Sequence, residues 1–138
     1  ADAVNDVPHA FPAAMRAQKV GKRAGKSGLD FACVEEAIEC LKAEIEEFLA
    51  AKARGDKGEI ERELGDVLFS AINVGRLAGV DCEKALKEST DTFAKRFTLA
   101  EKLANEGGRD VTKLSPEEWD AYYRKAKQLI KEGAQDDE

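Results

Sequence analysis

The chain reads as an all-α protein, a four-helix-bundle-like domain with an additional C-terminal helix, and three observations predict it. Apolar residues recur at i, i+3, i+4 and i+7 in successive stretches, which is the period of a helix with one buried face. No segment shows the apolar–polar alternation of a half-buried strand. The 3 prolines and 11 glycines fall mostly at the borders of the periodic stretches rather than inside them. At 138 residues the expectation is one domain, over residues 11–131, with an arm at 1–10 and an acidic tail at 132–138.

The elements follow in order. Residues 1–10 have little periodicity and are expected to form a loose arm. A first helix is predicted over about residues 12–24, opened by Pro12 at an N1-like position and closed near Gly25 and Gly28. A second helix runs from about Val34 to Arg54, with Val34, Ala37, Ile38, Leu41, Ile45, Phe48 and Leu49 on one stripe. The turn Gly55-Asp56-Lys57-Gly58 separates it from a third helix, about Gly58 to Ala78. Gly79 suits the C′ position there, and Asp81 suits the N-cap of a fourth helix reaching about Asn105. Gly107-Gly108 breaks that helix. Ser115-Pro116-Glu117-Glu118 is a capping box with proline at N1, starting a last helix to about Lys131. Gln135 to Glu138 are expected to lack fixed structure.

The third helix is unusual. Ile60, Leu64, Val67, Ala71, Gly75 and Ala78 make one apolar face, while Phe69 and Leu77 point elsewhere. Between these groups runs a polar stripe of Glu63, Asp66, Ser70 and Asn73. A helix apolar on two sides is expected to be covered on two sides, within a bundle or at a dimer interface. Polar groups held between apolar strips are costly to bury unless metal, water or a ligand satisfies them.

Composition excludes several classes. The net charge of −6 argues against a general nucleic-acid binder, since the sum does not favour a polyphosphate backbone. No apolar run approaches membrane-spanning length. Cys33, Cys40 and Cys82 are odd in number and lack C-x-x-C spacing, so they read as reduced thiols of a cytoplasmic protein. His9 is the lone histidine, which argues against histidine triads and His-rich zinc sites. The charge is uneven, however. No acid occurs between Asp6 and Asp30, a stretch that holds Arg16, Lys19, Lys22, Arg23 and Lys26. This run suits either a solvated helix face or a phosphorylated ligand.

Two acidic pairs stand out. Glu44 and Glu47 on the second helix, and Glu63 and Asp66 on the third, are each spaced i, i+3 and lie symmetrically about Gly55. Folding the helices back as an antiparallel hairpin sets Glu47 level with Glu63 and Glu44 level with Asp66. The same spacing also suits a solvated acidic face. Converged carboxylates, by contrast, repel unless a cation sits among them, and oxygen ligands of this kind suit Mg²⁺, with Mn²⁺ as a substitute. Such a site fits metal-assisted phosphoryl chemistry. Lys95 and Arg96, set between Phe93 and Phe97, suit a helix edge or a phosphate clamp. Trp119, Tyr122 and Tyr123 suit a core or the stacking of a nucleobase.

The order of these motifs resembles a known family. Arg16-Ala17-Gln18-Lys19-Val20-Gly21-Lys22-Arg23-Ala24, followed by Gly28-Leu29-Asp30-Phe31, is similar to the start of the C-terminal MazG domain. Glu63-Leu64-Gly65-Asp66-Val67-Leu68-Phe69, continued by Asn73-Val74, resembles that family's second metal motif. Thr92-Phe93-Ala94-Lys95-Arg96-Phe97 is similar to its K-F-x-x-R-F segment. The resemblance covers roughly residues 8–130. It implies an all-α nucleoside triphosphate pyrophosphohydrolase, Mg²⁺-dependent and assembled from helical dimers into a homodimer or higher oligomer. The family pattern E-E-x-x-E followed by E-x-x-D maps its metal ligands onto Glu44, Glu47, Glu63 and Asp66, which would also carry water activation. Lys19, Lys22, Asn73, Lys95, Arg96, Trp119 and Tyr123 are the expected substrate contacts.

The chain departs from the family pattern at three positions. Ala43 replaces the first acid of E-E-x-x-E, Thr92 stands where a lysine is common, and Tyr123 stands where a tryptophan is common. Many members carry two copies of the domain, and this chain resembles the second alone. The alternative reading, favoured by Ala43, is a regulatory or scaffolding helical dimer that binds nucleotide with little or no turnover.

Overall fold

The structure is a computed structural model that describes residues 3–136, with side chains to residue 133. Among the described residues there are five α-helices: α1 (Ala13–Lys26), α2 (Val34–Arg54), α3 (Lys57–Leu77), α4 (Cys82–Glu106) and α5 (Pro116–Asp136), with a short 3₁₀ turn at Val111–Lys113 before α5. No strand occurs among the described residues. The all-α expectation is met. Two compact units divide the chain, Ala1–Ala85 and Leu86–Glu138, with the boundary inside α4.

The first unit is built on the α2–α3 hairpin. Only Gly55 and Asp56 separate the two helices, so the turn is shorter than the expected four residues. Gly55 takes φ +78°, the left-handed conformation that glycine adopts without steric cost. Asp56 then caps α3, its carboxylate accepting from the N–H groups of Gly58 at 2.9 Å and Glu59 at 3.3 Å. Arg54 reaches across the turn to Glu59 at 3.0 Å. Along the hairpin, Ala37 and Ala51 are fully covered, and these small side chains let the helices approach closely. α1 packs on α3 as well.

α1 differs from expectation in its ends. Pro12 sits at the N-cap with ψ 143°, outside the helix, and Gly25 lies inside it. The helix closes at Gly28 (φ 103°), where the Leu29 N–H returns to the Ala24 carbonyl and the Gly28 N–H to Gly25. The expected loose arm is partly anchored. Residues 1 and 2 lie outside the described residues, but Val7 is fully buried and Asp6 pairs with Arg23. α3 ends in the same closure as α1, Val80 N–H to the Gly75 carbonyl and Gly79 N–H to Arg76, as Gly79 implied. Asp81 caps α4 through the Lys84 N–H.

On α3, Ser70 and Asn73 are buried as the polar stripe suggested. Leu64, on the first apolar face, keeps 43% of its surface, and Leu68 and Phe69 keep 58% and 42%.

In the second unit, the predicted capping box forms reciprocally: the Glu118 N–H donates to the Ser115 hydroxyl and the Ser115 N–H to the Glu118 carboxylate, both at 3.1 Å. α5 continues past Lys131 through Asp136, so much of the expected tail is helical, and residues 137 and 138 lie outside the described residues. No helix among the described residues is long and apolar enough to cross a membrane.

Candidate metal and nucleotide site

The hairpin brings three of the four predicted carboxylates together. Ligand oxygens of Glu44 (α2), Glu63 and Asp66 (α3) all lie within 4.8 Å of one another. The i, i+3 spacing puts Glu63 and Asp66 on one side of α3. The two-residue turn sets the register that brings Glu44 opposite them. Glu47 stands outside this set. Its charge is still felt: burial first, then Asp66, Glu63 and Glu47, push the Glu44 carboxyl above its ordinary value. Glu44 and Glu63 are half-buried and Asp66 is exposed. Ala43 is exposed and offers no oxygen beside them.

A cavity of about 570 Å³ adjoins the carboxylates. Glu44 and Asp66 belong to its wall, as do Ser70, Asn73 and Arg76 further along α3. Val20, Leu29, Phe31 and Phe69 give it apolar surface. That combination, apolar walls with a few converging polar groups, is what small-molecule sites usually present. Arg76 donates from Nε to Asn73 Oδ1 at 3.1 Å, and from Nη1 and Nη2 to the two Asp30 oxygens at 3.0 and 2.7 Å. The guanidinium holds the Asp30 carboxyl below its ordinary range, mainly through these hydrogen bonds.

Two glycines of α1 make room for this network. A Cβ at Gly21 would lie 2.4 Å from Asn73 Oδ1, and one at Gly25 would lie 2.6 Å from Asp30 Oδ2. Of this array the sequence pointed to Asn73 as a substrate contact; Asp30 and Gly21 entered only as parts of the resembling motif, Gly25 as a helix end, and Arg76 not at all. Arg76 lies i+3 beyond Asn73 on the same stripe, which was a legible signal. Asp30 gave none, because its partner is 46 residues away.

The other expected substrate contacts fall on α1 and in the second unit. Lys19 and Lys22 are exposed and do not line the cavity; the Lys19 ammonium sits 5.9 Å from the Phe11 ring centroid. α1 contributes Val20, Gly21 and Ala24 to the wall instead. Lys95, Arg96, Trp119 and Tyr123 belong to the second unit. There Arg96 Nη1 approaches the Tyr123 hydroxyl at 3.4 Å, and Phe97 stacks on Trp119 with ring centroids 5.2 Å apart. Lys95 borders a shallow groove with Ala94, Thr98 and Ile130.

Comparison with known proteins finds similarity over most of the chain. Residues 33–98 match the model of the MazG nucleotide pyrophosphohydrolase domain. The chain is 32% identical over 127 residues to the nucleoside triphosphate pyrophosphohydrolase of Escherichia coli (strain K12), covering 91% of this chain and 48% of that protein. It is 34% identical over 124 residues to the nucleoside triphosphate pyrophosphohydrolase/pyrophosphatase MazG of Thermotoga maritima, covering 90% of this chain and 48% of that protein. A shorter stretch, 69 residues at 35% identity, matches the uncharacterized protein YabN of Bacillus subtilis, of which it covers 14%. The chain thus spans about half the length of the first two relatives. The domain match includes Glu44, Glu47, Glu63 and Asp66, and over residues 33–98 the chain is similar to the MazG nucleotide pyrophosphohydrolase domain.

Proposed function

We propose that this chain is a Mg²⁺-dependent nucleoside triphosphate pyrophosphohydrolase, cleaving the α–β phosphoanhydride of an NTP or dNTP to give a nucleoside monophosphate and pyrophosphate. One observation carries the reading: Glu44 and Asp66 belong both to the carboxylate cluster and to the wall of the cavity. A cluster of carboxylates beside an apolar cavity suits a ligand that brings cations and polyphosphate at one end and a flat apolar ring at the other. The donor set is all oxygen, which fits Mg²⁺, with Mn²⁺ as a substitute.

The residues that would hold the ion are Glu44, Glu63 and Asp66, with Glu47 adjoining. Bound Mg²⁺ would supply Lewis-acid chemistry, lowering the pKa of a coordinated water and neutralising phosphate oxygens. The chain's own part is separable from that. Glu44 and Asp66 direct negative charge to one end of the cavity, so a bare triphosphate is repelled there and only its metal complex is accepted. Val20, Phe31 and Phe69 shed water around the nucleoside end. Asn73 offers a polar contact between the two.

Substrate binding by Lys95, Arg96, Trp119 and Tyr123 is retained as part of this proposal, and alanine variants at each, read by KM, test it. Self-association is retained also. The exposed Leu64 and Leu68 of α3 support a homodimer.

Pyrophosphate release from mixed NTPs and dNTPs with and without Mg²⁺ tests the activity, comparing the unaltered protein with Glu63→Ala and Asp66→Ala. We expect release by the unaltered protein and a loss of at least about a hundredfold in either variant, on the scale of removing an electrostatic component of a catalytic site. Equal release by all three would sink the site. The second reading, nucleotide binding with little or no turnover, is favoured by Ala43, and nucleotide-dependent thermal stabilisation without pyrophosphate would support it.

A further inference from the structure

The Asp30–Arg76–Asn73 array has a direction built into it. A guanidinium only donates, so the atom of Asn73 that faces Arg76 must be its oxygen. The observed Nε–Oδ1 contact of 3.1 Å agrees, and the same oxygen is lodged under α1 at Gly21, where a Cβ would come within 2.4 Å. The amide nitrogen is therefore turned away from both Arg76 and Gly21. Asn73 is only 6% exposed and lines the cavity.

Arg76 in turn has little freedom. Its side chain is 11% exposed, and both Nη atoms are engaged by Asp30. Asp30 sits in the loop between α1 and α2, against Gly25, in a space that any Cβ there would invade. A bidentate carboxylate fixes the guanidinium plane as well as its position. The fixed plane then fixes the amide.

We propose that Asp30 is a positioning residue: acting through Arg76, it locks the Asn73 amide so that Nδ2 presents N–H donors to the cavity, where they bind an acceptor atom on the nucleoside part of the ligand. The acceptor is a carbonyl oxygen or ring nitrogen of the base. This rests on the cavity being a nucleotide site, as proposed above, but not on turnover. The lock selects for a hydrogen-bond acceptor because a freely flipping amide would present either its donor or its oxygen. With the oxygen committed to Arg76, only the donor is available.

Two probes separate this role from a merely structural one. A non-hydrolysable nucleoside triphosphate analogue carries the acceptor, whereas inorganic tripolyphosphate carries the phosphate chain alone. Binding of both, with Mg²⁺, is measured by calorimetry for the unaltered protein, Asp30→Ala, Gly25→Ala and Asn73→Asp. Gly25→Ala favours the helix locally yet pushes a methyl against Asp30 Oδ2, so it tests the array without weakening α1. We expect the analogue to bind about tenfold more weakly in each variant, the scale of one hydrogen bond to a well-placed donor, with tripolyphosphate binding unchanged. Unchanged analogue binding in Asp30→Ala and Gly25→Ala overturns the proposal, as does an equal loss for tripolyphosphate. Pyrophosphate release is scored separately. A protein that binds the analogue with this pattern but releases no pyrophosphate loses the enzymatic reading and keeps this one. A protein that releases pyrophosphate but shows no analogue-specific loss keeps the enzymatic reading and loses this one. Failure of the unaltered protein to bind either probe overturns both.

Discussion

Asp30 and Arg76 join the loop after α1 to the last turns of α3 through two hydrogen bonds of 2.7 and 3.0 Å. The pair holds the Asp30 carboxyl below its ordinary value of 3.8. An acid whose folded pKa is depressed adds stability that is present above the unfolded value and is lost as pH falls through the folded one. Urea unfolding of Asp30→Asn should therefore show a flatter loss of stability below about pH 4 than the unaltered protein. Parallel curves would mean that the pair contributes nothing to folding.

Glu44 has the opposite sign. Burial and its acidic neighbours raise its pKa from 4.5, so in metal-free protein its contribution is fully present below the unfolded pKa and lost as pH rises through the folded one. Glu44→Gln should remove that decline, making the metal-free protein more stable at neutral pH. The same variant should lose most of the thermal stabilisation that Mg²⁺ gives the unaltered protein. Thermal unfolding with and without Mg²⁺ at pH 7 checks both signs together.

Asp56 satisfies two N–H groups at the start of α3. Asp56→Ala should cost about 1 kcal/mol, read as a lower urea midpoint with an unchanged slope. An unchanged midpoint would show that Gly55 and the Arg54–Glu59 pair suffice to hold the turn.

Gly75 lies where α3 meets the start of α4. A Cβ there would fall 2.5 Å from Cys82 Sγ, whose thiol donates to the Ile72 carbonyl at 3.4 Å. Gly75→Ala should destabilise by about 1–3 kcal/mol despite alanine's better helix propensity, because the thiol has to leave its place. Gly65 meets nothing within 4 Å, so Gly65→Ala is the control and should be neutral or stabilising.

The exposed flank of α3 makes a prediction about assembly. Leu68→Glu, at a position 58% exposed, should leave helicity intact and reduce self-association, measured by light scattering across a concentration series. If the mass and its concentration dependence do not change, the homodimer is not built on this flank.

Much of the architecture was legible in the chain because it is carried by near neighbours. The span of α2 from Val34 to Arg54, the capping box at Ser115 and Glu118, the closure at Gly79 and the start of α4 after Asp81 all rest on residues within a few positions of one another. The pairing of Glu44 with Asp66 was legible for a related reason: the two acidic pairs lie symmetrically about Gly55, where a hairpin turn brings them level. What the sequence by itself determined is thus the helices, several of their caps and the acidic cluster. Tertiary structure decided the rest. It left Glu47 outside the closest set, placed Lys19 and Lys22 away from the cavity and left Leu64 and Leu68 of α3 exposed. It also brought Asp30 to Arg76 and aimed Asn73. Those outcomes depend on how side chains from α1, the loop after it and α3 share one space, with Gly21 and Gly25 supplying the room. No local spacing encodes that, since contact between residues 46 apart is set by packing and not by the period of a helix.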